Sequence, residues 1–380
     1  MPATRISERS IDVPKLKAIF AGGGTGGHLF PGIAIADELK KLEPDAEILF
    51  VGTKDKIEAR VVPQKGYGFR SIWISGFHRR LRVSNVLFPL KVIISFMQSF
   101  SLIRTFKPNV VVGTGGYVSG PVLRAAIASK VPTLIQEQNS YPGVTTRVLS
   151  KSVNEIHLTF EQTKKYLQRT DHVFVTGNPT RNDLDNVRRD ASLKYFGLDP
   201  NEKRKVLLVF GGSLGAHSIN NALRNIIHQI DFTRMCVIWQ TGKEDFPSVQ
   251  KSCEAIAPNS IWVSPFIDRM DYAYAASDLA VCRAGATTIA ELTRLGKPAI
   301  LVPYPFAAAN HQVENAKSMK ESGAAEIVYD NELPEKLLPA LCLLDDDRQL
   351  RQISERCKAL GKPSAAKEIA QCVLRLARSV

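Results

Sequence analysis

The chain has little cysteine and no two cysteines close together. Cys236, Cys253, Cys282, Cys342, Cys357 and Cys372 are scattered over its later part, and the first 235 residues contain none. This excludes a disulfide scaffold and any CxxC metal or redox motif, and predicts a reducing compartment. Long apolar runs are missing as well. Met1 to Lys17 is polar and charged where a secretory leader needs an apolar core of about ten residues. No uncharged apolar stretch approaches the roughly 20 residues of a membrane span. The expectation is a cytoplasmic protein.

The most telling shortage is of acids. Between Ala59 and Gln136 there is no Asp or Glu, while Arg60, Lys65, Arg70, Arg79, Arg80, Arg82, Lys91, Arg104, Lys107, Arg124 and Lys130 all fall there. That segment carries +11 of the net +13. A solvated basic face usually has acids mixed in, so a field of one sign points to a polyanionic partner: nucleic acid, anionic lipid or a pyrophosphate ligand.

What is present reads as a globular α/β chain. Its 380 residues, 44% hydrophobic and 23% charged, exceed one comfortable core and predict two domains. Three apolar β-type runs stop at glycine-rich turns that lead into helical patterns: Leu16 to Ala21 before Gly22, Val110 to Val112 before Gly113, and Val206 to Phe210 before Gly211. Further strands are expected near Glu47 to Val51, Val131 to Ile135, Cys236 to Trp239 and Ala299 to Val302. Strands alternating with helices imply two Rossmann-like, doubly wound parallel sheets. The polar run Gly177 to Asn182 reads as the crossing between domains, and Ala365 to Arg378 as a final amphipathic helix.

The chemistry sits at the turns. Gly22, Gly24 and Gly27 have the spacing of a dinucleotide fingerprint between a strand and a helix. The second strand, however, ends Leu49-Phe-Val-Gly-Thr53 without the acid that would hold an adenosine ribose, and His28 stands where a phosphate-loop lysine is needed. What remains is bare backbone at a helix N-terminus, able to approach pyrophosphate closely. His28 is the titratable side chain at this turn, equally compatible with capping the loop and with general-base catalysis. The second turn, Gly113 to Pro121, ends on a proline expected at a first helical position. The strand Val131 to Ile135 delivers Gln136-Glu-Gln-Asn139 to its carboxyl end, where amides and a carboxylate suit sugar hydroxyls. In the second half, Gly211 to Ala216 repeats the phosphate-friendly turn. Cys282 to Glu291 then offers a small-residue turn feeding a helix, whose amides would stabilise a departing diphosphate without a metal. Asp345-Asp-Asp347 reads as a helix-joining turn, so no metal and no cofactor is assigned.

Taken together, Gly23 to His28, Gly113 to Gly120, Glu137-Gln-Asn139, Gly177 to Arg181, Gly211-Gly-Ser213, Arg283 to Ala286 with Thr288 and Glu291, and His311-Gln312 with Asn315 resemble the MurG family of bacterial glycosyltransferases. The likeness runs from about Lys15 to the last helix. It implies the two-domain GT-B fold: a flexible N-terminus at 1–14, an acceptor and membrane-associating domain at 15–178 joined by the returning helix at 365–380, and a nucleotide-sugar domain at 179–364. It implies an inverting transferase that moves N-acetylglucosamine from UDP-N-acetylglucosamine to the 4-hydroxyl of the muramyl sugar of lipid I, giving lipid II and UDP. The setting would be peptidoglycan synthesis, with its ties to cell shape and division, at the cytoplasmic face of the membrane, and cell-wall and division proteins become candidate partners.

Carried over residue by residue, the resemblance places the donor site on Thr25, Gly26, Gly27, Asn139, Arg181, Ser213, Ile267, Ala286, Thr287, Thr288, Ile289, Ala290, Glu291 and Gln312. Ile267 would meet uracil through its backbone, Glu291 the ribose, and Gln312 the sugar. Ser213 and the helix starting near Ala286 would face the diphosphate. His28 is expected as the base, with Glu137 as a second candidate. Gln136, Leu214 and Ala309 depart from residues common in that family, His, Gln and Asp respectively. The rival within the fold is a UDP-N-acetylglucosamine 2-epimerase, which works on one soluble substrate. A basic nucleic-acid-binding protein would explain the charge but not these motifs, and a noncatalytic sugar-nucleotide sensor would form no product. Finally, Val86 to Leu90 and Val92 to Met97, flanked by Arg79, Arg80, Arg82, Lys91, Arg104 and Lys107, form either a buried helix or a dock for an anionic membrane surface.

Overall fold

The computed structural model describes residues 15–76, 88–181, 184–212, 215–254, 256, 259–307 and 310–379. The N-terminus expected to be flexible, 1–14, lies outside them, as do Arg79, Arg80, Arg82, Ser213, Leu214 and Ala309.

The first sheet contains β1 (Lys17–Gly22), β2 (Glu47–Gly52), β3 (Gly68–Ser71), β4 (Val110–Gly115), β5 (Thr133–Glu137), β6 (Glu155–Leu158) and β7 (Val173–Val175). Its helices are α1 (Gly26–Leu42), α2 (Ile57–Gln64), α3 (Phe88–Phe106), α4 (Gly116–Ala128) and α5 (Val144–Leu149). The second sheet contains β8 (Lys205–Phe210), β9 (Met235–Gln240), β10 (Ile261–Ser264), β11 (Leu279–Cys282), β12 (Ala299–Leu301) and β13 (Glu326–Ile327). Around it lie α6 (Arg189–Tyr195), α7 (His217–Ile226), α8 (Phe246–Cys253), α9 (Met270–Ala276), α10 (Ala286–Leu295), α11 (His311–Glu321), α12 (Leu333–Leu341) and α13 (Asp347–Ala359). The chain ends in α14 (Ala365–Arg378).

All strand pairs are parallel. Covered by helices on both faces, the central strands are apolar throughout: Val206 to Phe210 and Val110 to Val112 are buried residue after residue. The strand orders are β3-β2-β1-β4-β5-β6-β7 and β10-β9-β8-β11-β12-β13. Each sheet therefore reverses direction once, between β1 and β4 and between β8 and β11. A crevice opens at such a reversal, because neighbouring strands send their chains to opposite faces. The glycine turns after β1, β4, β8 and β11 all lie at these two points.

Two expectations change at the second glycine turn. Pro121 lies inside α4 rather than at its first position, because Gly115 and Gly116, with φ of +100° and +74°, turn the chain into helix earlier. The strand expected at Val131 to Ile135 runs instead from Thr133 to Glu137, so Gln138 is the first residue beyond its carboxyl end.

α14 packs on α1 and the first sheet, where Ile369, Ala370 and Val373 join Leu29, Ile33 and Ala36 in one core. Arg375 donates to Glu155 at 2.6 Å and Arg378 to Glu43 at 2.5 Å. The two connecting segments that cross between the sheets touch at Gly177, where φ is +93° and an added Cβ would lie 2.5 Å from that of Lys362.

Candidate active site

After β1 the chain makes a short loop, and α1 begins at Gly26 with Thr25 as an extended N-cap. The loop is anchored from behind by Glu58, which is only 1% exposed. Its carboxylate accepts from Gly24 N at 3.0 Å, Thr53 N at 2.9 Å and Thr53 Oγ1 at 2.8 Å. The Gly24 amide is therefore not open to a ligand. The amides of Gly26 and Gly27, in the first turn of α1, have no intrahelical acceptor and point out of the helix end.

His28 lies against the turn between β4 and α4. A Cβ on Gly115 would sit 2.5 Å from His28 Nδ1, and one on Gly116 would sit 2.4 Å from Gly23 O. Bare backbone there lets the imidazole seat flush. Thr114 Oγ1 donates to His28 O at 2.8 Å, and Gln138 Oε1 lies 2.9 Å from His28 Nδ1. Glu137, the second base candidate, is occupied. It accepts from Asn139 N (3.1 Å), Asn139 Nδ2 (3.3 Å), Gly143 N (3.0 Å) and Thr146 Oγ1 (2.6 Å), so both oxygens hold its own loop together.

Across the crevice, α10 presents its N-terminus at Ala286. Thr287 Oγ1 is buried there without a hydrogen-bond partner, and a methyl group on Gly27 would lie 3.9 Å from it. The first turns of α1 and α10 thus meet, one from each sheet. Both carry the positive end of a helix dipole, and an anion between them is stabilised from both sides.

One turn further along α10, Glu291 is buried. It accepts from Arg181 Nε at 3.3 Å and Nη2 at 3.2 Å, and from Tyr274 OH at 2.9 Å. Burial, with the Glu291 carboxylate beside it, holds the Tyr274 phenol well above its ordinary pKa, so it remains a donor. The Arg181 guanidinium also lies 5.7 Å from the Phe30 ring of α1, linking the two halves at the mouth of the crevice. In the second sheet's half, Gln240 Oε1 accepts from Ile267 N at 2.8 Å and Gln240 Nε2 donates to Gly212 O at 2.8 Å. The Ile267 amide is thereby taken, which leaves its carbonyl for a ligand. Gln312 Oε1 accepts from Tyr304 N at 2.9 Å.

Comparisons with known proteins identify the scaffold. Residues 18–158 match the glycosyltransferase family 28 N-terminal domain and residues 206–370 the glycosyltransferase family 28 C-terminal domain. The chain belongs to glycosyltransferase family 28. A relative from Chlorobaculum parvum is 45% identical over 96% of this chain and 100% of its own length. One from Christiangramia forsetii is 43% identical over 95% and 98%. Both are named UDP-N-acetylglucosamine--N-acetylmuramyl-(pentapeptide) pyrophosphoryl-undecaprenol N-acetylglucosamine transferase. The crystal structure of Acinetobacter baumannii MurG superposes with a TM-score of 0.73 at 27% identity, covering 95% of this chain and 100% of that one. A UDP-N-acetylglucosamine 2-epimerase structure also superposes, at a TM-score of 0.65 and 15% identity, a likeness of fold alone.

This family 28 enzyme is a glycosyltransferase of two parallel-sheet domains, and its crevice gathers residues that lie far apart in the chain. Thr25, Gly26, Gly27 and His28 form the start of α1, where Gly27 approaches Thr287; Arg181 approaches Glu291, whereas Asn139 is turned toward Glu137. Gln136, where His is common, keeps an acceptor in place, since its Oε1 receives a hydrogen from Gln138 Nε2. Arg283 is engaged by its neighbours: it pairs with Asp330, donates to Ser218 Oγ at 2.8 Å and stacks over Tyr304. Sequence reasoning missed Glu58, Gln240 and Tyr274. Gln240 had a usable signal, as the last residue of a β-strand in an open parallel sheet. Among the described residues one group has metal-ligating side chains, the buried Glu155 and His157 with the half-buried Cys372. Arg375 and His157 already pair with its carboxylate, so it reads as the clasp of α14.

The helix flanked by cations, α3, packs Phe96, Phe100, Leu102 and Phe106 against the core but leaves part of its apolar surface exposed. The fully covered residues of α3 are Ser95, Ser99 and Ile103, a stripe at i, i+4 and i+8, packed toward α4. The two serines satisfy themselves within the helix, Ser95 Oγ donating to Val92 O at 2.9 Å and Ser99 Oγ to Ser95 O at 2.7 Å. Leu90, Val92, Ile93 and Met97 face outward and are 48%, 39%, 58% and 65% exposed. No helix of the described residues is long and apolar enough to cross a membrane.

Proposed function

We propose that this glycosyltransferase moves N-acetylglucosamine from UDP-N-acetylglucosamine to the 4-hydroxyl of the muramyl sugar of lipid I, with inversion, giving lipid II and UDP. The observation that carries this reading is the meeting of the α1 and α10 N-termini at Gly27 and Thr287, with His28 one residue further on. A diphosphate at that point receives backbone amides and the unpartnered Thr287 hydroxyl, which stabilise the charge that develops as the glycosidic bond breaks. Glu291 holds the ribose hydroxyls, the Ile267 carbonyl meets uracil, and Gln312 touches the sugar. An α-linked donor giving a β-linked product requires in-line attack from the opposite face. His28 takes the proton from the attacking hydroxyl. Glu137, with both oxygens occupied, positions the Asn139 loop instead.

The exposed apolar part of α3 supports a peripheral membrane location. Exposed Leu90, Ile93 and Met97 lie beside Lys91 and Arg104, and a hollow of about 460 Å³ lined in part by Phe100, Ile103, Arg104 and Lys107 continues the patch. Apolar side chains ringed by cations fit an anionic lipid surface, where the acceptor's polyprenyl tail stays anchored. A 2-epimerase of the same fold has no use for such a surface. The deciding experiment incubates purified protein with radiolabelled UDP-N-acetylglucosamine and a lipid I analogue. Label in the lipid-extractable disaccharide supports the proposal. Formation of a 2-epimer, or no transfer with a competent acceptor, overturns it.

A further inference from the structure

His28 can act as a base through only one of its two nitrogens, and which one depends on where its single proton sits when the ring is neutral. The residues behind the ring decide this. Gln138, 3% exposed, places Oε1 at 2.9 Å from His28 Nδ1. Its Nε2 faces Thr114 O at 2.7 Å, Gln136 O at 3.2 Å and Gln136 Oε1. Two of these are backbone carbonyls, which accept and never donate. Turning the amide over would set an oxygen against those carbonyls with no proton between them, leaving buried acceptors unmet. The side chain therefore has one orientation, with its carbonyl toward His28. A carbonyl brings no proton, so the hydrogen of this contact belongs to Nδ1.

We propose that Gln138 is the positioning residue that holds His28 as its Nδ1–H tautomer, leaving the Nε2 lone pair to receive the acceptor's proton. His28 Nε2 has no hydrogen-bond partner among the described residues. The arrangement extends backward in one sense. His28 donates to Gln138, Gln138 to Gln136, and Gln136 Nε2 to Asn178 Oδ1 at 3.4 Å, so each donor is matched to an acceptor along the chain. Thr114 supports both ends, fixing the His28 carbonyl through Oγ1 and the Gln138 amide through its own carbonyl. The turn after β4 thus does more than reverse the chain, since Gly115 and Gly116 make room for the ring and Thr114 sets its clamp. A neutral amide does this without placing a carboxylate beside the imidazole. The nearby carboxylates are engaged elsewhere, Glu137 by its loop, Glu58 by Gly24 and Thr53, and Glu291 by Arg181 and Tyr274. Tyr117, whose ring is against Gly24 and Gly76, is kept protonated by burial.

This inference rests on His28 being the base, and the experiment separates the two claims. Nitrogen-15 NMR of histidine-labelled full-length protein at alkaline pH reads which ring nitrogen carries hydrogen, with His28→Ala assigning the signal among the seven histidines. The expected result is protonated Nδ1 and bare Nε2 in the native protein. In Gln138→Met, of similar size but without acceptor or donor, this tautomer is lost and kcat falls by about tenfold or more, while KM for the nucleotide sugar stays near native. A native signal with hydrogen on Nε2 overturns the role of Gln138 whatever the activity, and does not depend on Gln138→Met folding. An unchanged tautomer in folded Gln138→Met overturns it as well. Near-normal turnover in His28→Ala removes the base assignment and leaves the tautomer measurement standing as a fact about the fold.

Discussion

Replacing Ile93 and Met97 together by glutamate tests the surface on which the membrane assignment depends. Both side chains are more than half exposed, at 58% and 65%, so little native packing is lost. Folding stability should move by no more than about 0.5 kcal/mol, the range of ordinary surface substitutions. At a bilayer the arithmetic differs. Covering the exposed part of each side chain with lipid contributes roughly 1 to 2 kcal/mol, about half the value of full burial. Each carboxylate introduced near anionic headgroups opposes binding by about 1 kcal/mol, the mirror of what a lysine contributes there. The two sites together should weaken partitioning by roughly 4 to 6 kcal/mol, about a thousandfold or more. Sedimentation with vesicles containing anionic lipid measures this directly, and raising the salt should weaken native binding by screening Lys91, Arg104 and Lys107. UDP affinity, set in the crevice, should not change. Native-like partitioning of the double variant, or equal native binding to neutral and anionic vesicles, would refute the reasoning.

Three further outcomes are expected. Glu291→Ala should weaken UDP binding by about 1.5 to 3 kcal/mol, the worth of a charge-assisted hydrogen bond, and also lower the melting temperature because the buried Tyr274 hydroxyl loses its acceptor. Unchanged affinity by calorimetry would remove the ribose role. Below pH 4.5 the native protein should lose stability that Glu202→Gln never had. The Arg204 hydrogen bonds depress the Glu202 pKa from 4.5 to about 2, so this contribution is complete above the unfolded value and disappears as pH falls toward the folded one. Parallel acid-unfolding curves for the two proteins would contradict it. Because diphosphate charge is assigned to two helix N-termini, transfer should persist in EDTA, and full loss restored by magnesium would overturn that assignment.

Much of the crevice was legible because its physics is local. A glycine turn after a buried strand is recognisable within about ten residues, and strand polarity then carries every such turn to one edge of a parallel sheet. That is why His28, Glu137 and the α10 start could be named before any fold was seen. The pairings were not legible. His28 meets Gln138 and Arg181 meets Glu291 across 110 residues, and no spacing rule reaches that far. Glu137 illustrates the consequence. Its residue type and its place at a strand end suit a base, and only its four donors reveal a carboxylate already in use.

α3 shows a different limit. Helical periodicity says that two faces differ, not which one finds cover, and hydrophobicity ordinarily settles the choice by driving the larger side chains inward. Here that rule holds only in part: Phe96, Phe100, Leu102 and Phe106 pack against the core, yet the most covered positions go to Ser95 and Ser99, which return their hydroxyl hydrogens to their own helix and can be buried at little polar cost. Their small size lets α3 lie close on α4, while Leu90, Ile93 and Met97 are left outside. A helix that leaves Leu90, Ile93 and Met97 in water forgoes burial free energy of about 1 kcal/mol or more at each. Such an arrangement is understandable when a second apolar phase completes the burial. The cations that the acid-free segment places beside α3 match the charge of a bilayer's anionic face. The shortage of acids and the exposed apolar side chains of α3 thus fall on one stretch of chain, visible first as composition and then as geometry.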